Sequence, residues 1–137
     1  MTDPFKNAFF VSSRTAQQFI DITGQVQTQV DRSGVKSGLC FLFLPHTTAA
    51  LTLNENWDPA VPADILHTLK TQTAPSSPAH MHAEGNSPAH VRSSLLGVSQ
   101  SVLIEDGRLV LGAWQGIFLA EFDGPRERHV IVKIIEG

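Results

Sequence analysis

Six histidines carry the first chemical signal in this chain, and His46 has the oddest position among them. It follows the apolar run from Leu39 to Leu44 through Pro45, and two threonines, Thr47 and Thr48, come directly after it. Packing gives the end of a buried strand no reason to carry an imidazole. A metal ion or a charged ligand does. His80, His82 and His90 then fall within the eleven residues of HMHAEGNSPAH. Neutral imidazole is a common ligand of borderline metals, and three of them with an open fourth position make the catalytic type of zinc centre. The spacing differs from the His-x-x-x-His of one helix face, so taken alone it fits loop histidines in solvent at least as well. His67 falls in a helical stretch and reads as solvated.

The same segment offers an anion a place. Gly85 permits a close backbone approach, and a helix starting near Pro88 aims unsatisfied N–H groups, with Asn86 among them, at the loop before it. Arg92, one turn in, adds positive charge; the plainer alternative is a capped helix with a solvated arginine. Glu55 is placed to act as a general base or to orient a ligating histidine. Alternatively it belongs to a polar turn that ends a strand. In GAWQGIF, Trp114 and Gln115 point to opposite faces of a strand, leaving Gln115 to face a ligand and Trp114 to serve core or subunit contact. EFDGPRER reads as a charged turn in which Arg126 and Arg128 are phosphate candidates.

These residues need a scaffold, and 137 residues are enough to bury a core as one domain, residues 1–137, without staples. A hydrophobic share of 42% with 17% charged residues belongs to a globular protein rather than a disordered one. The net charge of −3 argues against general nucleic-acid binding, which needs a concentrated basic face. No apolar run is long enough to span a membrane, and MTDPFKNAFF lacks the basic start and apolar stretch of a signal peptide. The lone Cys40 cannot form an internal disulfide and reads as a small buried apolar residue. A reducing cytoplasm is the expected setting.

Along the chain, NAFFVSS and AQQFIDIT read as two strands joined by a turn at Ser13 and Arg14. Thr23 is placed to cap a helix that buries Val26 and Val30 and stops at Gly34. GLCFLFL reads as a strand buried on both faces, since its apolar run has no polar alternation. TAALTLNE continues as a strand, and Asp58-Pro59 opens a helix with Ile65, Leu66 and Leu69 inward. From Gln72 to Asn86 the composition signals a long functional loop. Ser87-Pro88 opens a further helix, closed by Gly97, with Val91 and Leu95 facing the core. QSVLIE and RLVLG form a hairpin about Asp106-Gly107, and WQGIFLAEFDG pairs with RHVIVKIIE about Gly124-Pro125. The expected class is α+β: a sandwich of mixed or antiparallel sheets with flanking helices.

Three segments, HTTAALTLNENWDP, EGNSPAHVRSSLLG and DGRLVLGAWQGIFLAEFDGPRERHV, resemble in order the motifs of the YjbQ family of small bacterial and archaeal proteins. The similarity runs from about Gly34 to the end. The resemblance implies an α/β sandwich assembling as a homotrimer, with a secondary thiamine-phosphate synthase activity. It matches His46 and His90 to family histidines that line the site. A third family histidine precedes EG, for which His82 is preferred over His80. GAWQG departs from the family's GTWQ at Ala113. On this basis His46, His82 and His90 are expected to hold a divalent metal: zinc suits three imidazoles, and magnesium is the alternative that pyrophosphate departure recruits. His90 and Glu55 are the catalytic candidates; Thr47, Thr48, Asn86, Arg92 and Gln115 are the substrate-binding ones. The implied reaction joins a pyrimidine pyrophosphate to a thiazole phosphate with loss of pyrophosphate. The alternative is a non-catalytic metal or small-ligand binding protein, or a metal-dependent hydrolase of another phosphorylated substrate.

Overall fold

The computed structural model describes residues 7–73 and 76–137; the first six residues, read above for targeting signals, and residues 74–75 near the start of the 72–86 loop lie outside it. In chain order the elements are β1 (Ala8–Ser12), β2 (Gln18–Asp21), α1 (Thr23–Ser33), β3 (Gly38–Phe43), β4 (Ala49–Glu55), α2 (Ala60–Gln72), α3 (Ser87–Leu96), β5 (Ser99–Glu105), β6 (Arg108–Leu109), β7 (Gln115–Glu121) and β8 (Glu127–Glu136). They form a five-stranded sheet ordered β1-β8-β3-β5-β6 and a three-stranded sheet ordered β2-β7-β4. Every pairing is antiparallel. This is the expected α+β sandwich with flanking helices.

The core lies between the sheets. Cys40 and Leu42 of β3, Val102 and Ile104 of β5, and Val130 and Val132 of β8 meet Leu51 of β4 and Ile117 and Leu119 of β7. Helix α1 closes this layer with Val26 and Val30. A second apolar layer covers the other face of the small sheet, where Ala50, Ala120 and Phe122 meet Ala89 of α3 and Leu66 and Leu69 of α2. So β4 and β7 bury both faces, which explains the apolar runs AAL and GIFLA.

Several expectations are corrected. Strand β3 alternates instead of burying both faces: Phe41 is 38% and Phe43 40% exposed. Its outer face belongs to a patch with Phe10, Leu103 and Ile135, all exposed. The segments around β7 and β8 do not pair with each other, because they divide between the sheets, and the two strands joined by the turn after Ser12 divide in the same way. The two crossings run side by side, with Ser13 N–H bonded to Arg126 O at 3.0 Å and Gly124 N–H to Ala16 O at 3.0 Å. The β7 run, apolar on both faces, takes the centre of the small sheet. On α3, Val91 and Leu95 face outward, while Ala89, Arg92 and Ser93 are buried. Ser93 Oγ donates to Ala49 O at 2.6 Å, so a polar anchor and a small residue let the helix approach β4 closely.

Local signals fare better. Asp106 (φ 52°) and Gly107 (φ 73°) make the tight turn of the β5–β6 hairpin, as expected from a primed turn. Gly34 ends α1 in the left-handed region at φ 70°. Asp58 Oδ1 accepts the Ala60 N–H at 2.9 Å and so covers one free donor at the start of α2. Thr23, expected as a cap, is instead the first helical residue; its hydroxyl donates to Asp21 Oδ1 at 2.6 Å and accepts from Ile117 N–H at 2.9 Å.

Candidate functional site

Strand β8 supplies the foundation of the site. Arg128, Val130 and Val132 share one parity and point inward, so the guanidinium enters the interior 2% exposed. Glu121, at the end of β7 and fully buried, meets it. Arg128 Nε donates to Glu121 Oε1 at 2.9 Å, and Nη2 donates to Glu121 Oε2. Ser13 Oγ donates to Oε1 at 2.7 Å and the Asp123 N–H to Oε2 at 3.1 Å. Burial pushes the Glu121 carboxyl up, but the hydrogen bonds from Arg128, Ser13 and Asp123 outweigh it and hold it below the usual carboxylate range. Arg128 is therefore occupied and is not a phosphate contact. Its Nη2 also donates to Thr48 O at 3.1 Å and Thr48 Oγ1 at 2.9 Å. Thr48 is thus buried and bonded to Arg128.

His46 lies two residues before that anchor. Its Nε2 accepts the His129 N–H at 2.9 Å, and the two rings stand edge to face at 5.8 Å. Burial, then the nearby Arg128 charge, lower the His46 pKa from its ordinary value. Thr47, between the two tethered residues, stays exposed. His46 and Thr47 line one side of an open cavity of about 560 Å3, whose other side is His90, Ser93 and Ser94 of α3, followed by Gly97 and Val98. The volume suits a small-molecule ligand, for which pockets run from roughly 300 to 1,000 Å3.

On the α3 side, His90 Nε2 is buried without a hydrogen-bond partner. The His82 ring meets the His90 ring edge to face at 5.0 Å, and Glu84 Oε2 lies 3.9 Å from His82 Nε2. Asn86 sits just before the helix. Its Nδ2 donates to Asp123 Oδ2 at 2.8 Å, the oxygen that also takes Arg126 Nη2 at 2.9 Å, and its Oδ1 is buried without a partner. Arg92 is 5% exposed and its Nε donates to Thr73 Oγ1 at 2.7 Å; no carboxylate pairs with it among the described residues. Burial lowers its pKa.

Glu55 and Gln115 do not join this group. They face each other in register at the far end of β4 and β7. Seven residues of strand put them about 20 Å from the His46 end, at roughly 3.4 Å per residue. Glu55 Oε2 accepts the Asp58 N–H at 3.3 Å and Gln115 Oε1 the Gly112 N–H at 2.8 Å, both turn-forming bonds. Beside them Trp57 and Trp114 pair edge to face at 5.7 Å, both exposed. His80 Nδ1 accepts the Ser77 N–H at 3.2 Å within the loop.

The metal expectation meets a mixed fit. Two imidazoles on one tetrahedral zinc hold their ring centres about 5 Å apart, given a Zn–N distance of roughly 2.0 Å. The His82–His90 separation matches this, and the unpartnered His90 Nε2 is a free donor atom. His46 does not fit, because its Nε2 lone pair is taken by the His129 N–H. Among the described residues no group of three or more His, Cys, Asp or Glu side chains is arranged to hold a metal ion.

Comparisons with known proteins agree with this fold. A family model described as UPF0047 protein YjbQ-like matches residues 7–137. The UPF0047 protein MJ1081 of Methanocaldococcus jannaschii is 46% identical over 125 residues, covering 91% of this chain and 90% of that protein. The UPF0047 protein YugU of Bacillus subtilis is 42% identical over 125 residues, covering 91% and 95%. Among solved structures, an uncharacterized conserved YjbQ/UPF0047 family protein from Clostridium acetobutylicum is 51% identical with a TM-score of 0.89, covering 93% of this chain and 98% of that one. A YbjQ-like protein of unknown function from Sulfolobus solfataricus is 39% identical with a TM-score of 0.89, covering 95% of each chain. By sequence along nearly its whole length, and by the antiparallel sandwich that carries His46 and His90, the chain belongs to the UPF0047/YjbQ-like family.

Proposed function

We propose that the chain is a transferase of the secondary thiamine-phosphate synthase type, with its substrates in the cavity between His46 and His90. One observation carries this: imidazoles from segments far apart in sequence face a single cavity of about 560 Å3, and one of them has a buried nitrogen with no partner. An unsatisfied buried nitrogen costs about 1–3 kcal/mol, so a partner that arrives with the ligand is the economical explanation. The Thr47 hydroxyl and the His46 ring on the cavity lining support an anionic ligand such as a pyrophosphate, while Arg92 and the start of α3 are not among the lining residues.

Within the cavity the Thr47 hydroxyl and the His46 ring are placed to hold phosphoryl oxygens, and His90 Nε2 to hold a proton or a cation. A divalent cation on His82 and His90, zinc by donor type or magnesium brought with pyrophosphate, would neutralise charge on the departing group. The same reading includes a homotrimer in the cytoplasm. It is supported by the exposed apolar patch of Phe10, Phe41, Phe43, Leu103 and Ile135, because contiguous patches of this kind mark contact surfaces. The free, buried Cys40 suits a reducing setting. No helix among the described residues is long and apolar enough to cross a membrane.

The test is product formation. Purified protein with a pyrimidine pyrophosphate, a thiazole phosphate and a divalent metal is expected to yield thiamine phosphate, and His90→Ala to lose at least about a hundredfold of the rate, a general acid–base or charge-holding contribution. Absence of product from the wild type under reducing conditions, with metal and pyrophosphate still bound, would transfer the site to a binding protein.

A further inference from the structure

We propose that His46 acts in the cavity as a neutral hydrogen-bond donor, through Nδ1–H toward a phosphoryl oxygen, and that the buried Glu121–Arg128 pair is the positioning device that fixes its ring. A main-chain N–H only donates. The His129 N–H at 2.9 Å from His46 Nε2 therefore requires Nε2 to accept with its lone pair, which leaves the proton of the neutral ring on Nδ1. The ring lines the cavity, and Nδ1 is its one polar atom without a partner among the described residues. In this state the ring has no lone pair for a cation unless His129 releases it. It has a donor to offer, and an oxygen of phosphate or pyrophosphate accepts.

The ring is held by a two-point clasp. Arg128 precedes the His129 that donates to His46, and Thr48 lies two residues after His46. The same guanidinium nitrogen holds both the carbonyl and the hydroxyl oxygen of Thr48. Glu121 fixes that guanidinium from the other side and is itself fixed by Ser13 and the Asp123 N–H. The turn that carries His46 is thereby tied to β8 at adjacent residues. A buried ion pair adds little net stability over apolar residues of the same volume, so its presence here is better explained by what it positions. The assignment divides the labour: His46 serves the anion, while His82 and His90 keep the free nitrogen chemistry. It rests on the proposed function only for the nature of the ligand.

The experiment is a long-range proton–nitrogen correlation spectrum of the imidazoles in the full-length nitrogen-15 protein. His46 is expected to show the Nδ1–H tautomer at neutral pH. Addition of zinc alone is expected to move the His82 and His90 signals and leave the His46 pattern in place. Inorganic pyrophosphate is expected to shift His46 Nδ1–H. In Glu121→Gln, the His46 signals are expected to move toward a mixture of tautomers and pyrophosphate binding to weaken about tenfold, the loss of one charge-assisted hydrogen bond. Thr48→Val, which removes one acceptor of Arg128 and keeps the carbonyl, reads the same shift if Glu121→Gln does not fold. An Nε2–H tautomer in the wild type, zinc ligation by His46, or an unchanged His46 pattern in the folded variants overturns the proposal. None of these readouts depends on turnover, so a missing thiamine-phosphate activity leaves them intact.

Discussion

Replacing Arg128 with Met should reverse the sign of one part of the protein's pH dependence. In the native protein the Glu121 carboxyl lies below its ordinary value, despite burial, because Arg128, Ser13 and the Asp123 N–H hydrogen-bond to the ionised form. A depressed carboxyl contributes stability that is present above the unfolded-state pKa and is lost as pH falls through the folded value. The substitution removes both bonds from the guanidinium and its charge, and keeps the two from Ser13 and Asp123. Breaking one side of a buried pair costs about 3–5 kcal/mol, and the two surviving donors place this case near the lower end. Burial then dominates and raises the carboxyl above its ordinary value, so the folded variant binds a proton that the unfolded chain releases. Its contribution is fully present below the unfolded pKa and is lost as pH rises through the raised folded one. Urea unfolding followed by circular dichroism between pH 4 and pH 8 (roughly the window around an ordinary carboxyl) measures this. The stability deficit of the variant should be about 3 kcal/mol at neutral pH and shrink toward acid. A deficit that stays constant with pH, or falls below about 1 kcal/mol, the scale of an exposed pair, would refute the reasoning.

Other outcomes follow from single contacts. Burial pushes the Cys40 thiol up to about 11, so a thiol reagent should leave it unmodified in the folded protein at pH 8 and label it fully in denaturant. Gly38→Ala places a Cβ 2.0 Å from the Ile135 carbonyl oxygen, where β3 and β8 are paired; thermal melts should show a loss of about 2 kcal/mol or more, and an unchanged melting temperature would contradict that approach. Asp58→Ala uncaps the Ala60 N–H and should cost about 1 kcal/mol, read by the same melts. His46 has a lowered pKa, so its contribution to stability is present above its unfolded pKa of 6.5 and is lost as pH falls through the folded one; a His46→Gln variant should lack that part of the acid loss.

Local chemistry was legible in the sequence. The turn at Asp106-Gly107, the stop at Gly34 and the cap at Asp58 depend on residues next to each other, and each appears as expected. Sheet membership was not legible, because β7 and β8 are neighbours in sequence but lie in different sheets, and only long-range packing decides that. The α3 face was misread for a related reason: hydrophobic spacing chose Val91 and Leu95, whereas close approach to β4 chose Ala89 and Ser93. At the site, His46, Thr47, His82, Asn86 and His90 come to one end of the small sheet. Glu55 and Gln115 sit at the other, since a strand of seven residues separates its ends whatever the side chains at each. Glu121 and Arg128 read as charged-turn residues, with Arg128 a phosphate candidate, yet a signal for their burial existed. Each holds the inward parity of its strand, Glu121 with Ile117 and Leu119, Arg128 with Val130 and Val132. A charge at such a position calls for a partner, and each of the two supplies the other's.

Calorimetric titration of inorganic pyrophosphate into wild-type protein and His90→Ala, at fixed metal, bears most directly on the shared cavity. One pyrophosphate per chain should bind the wild type, and the variant should bind at least about tenfold more weakly, one lost strong contact. Equal affinity in the two proteins, or no binding to the wild type, would contradict the placement of the ligand between His46 and His90.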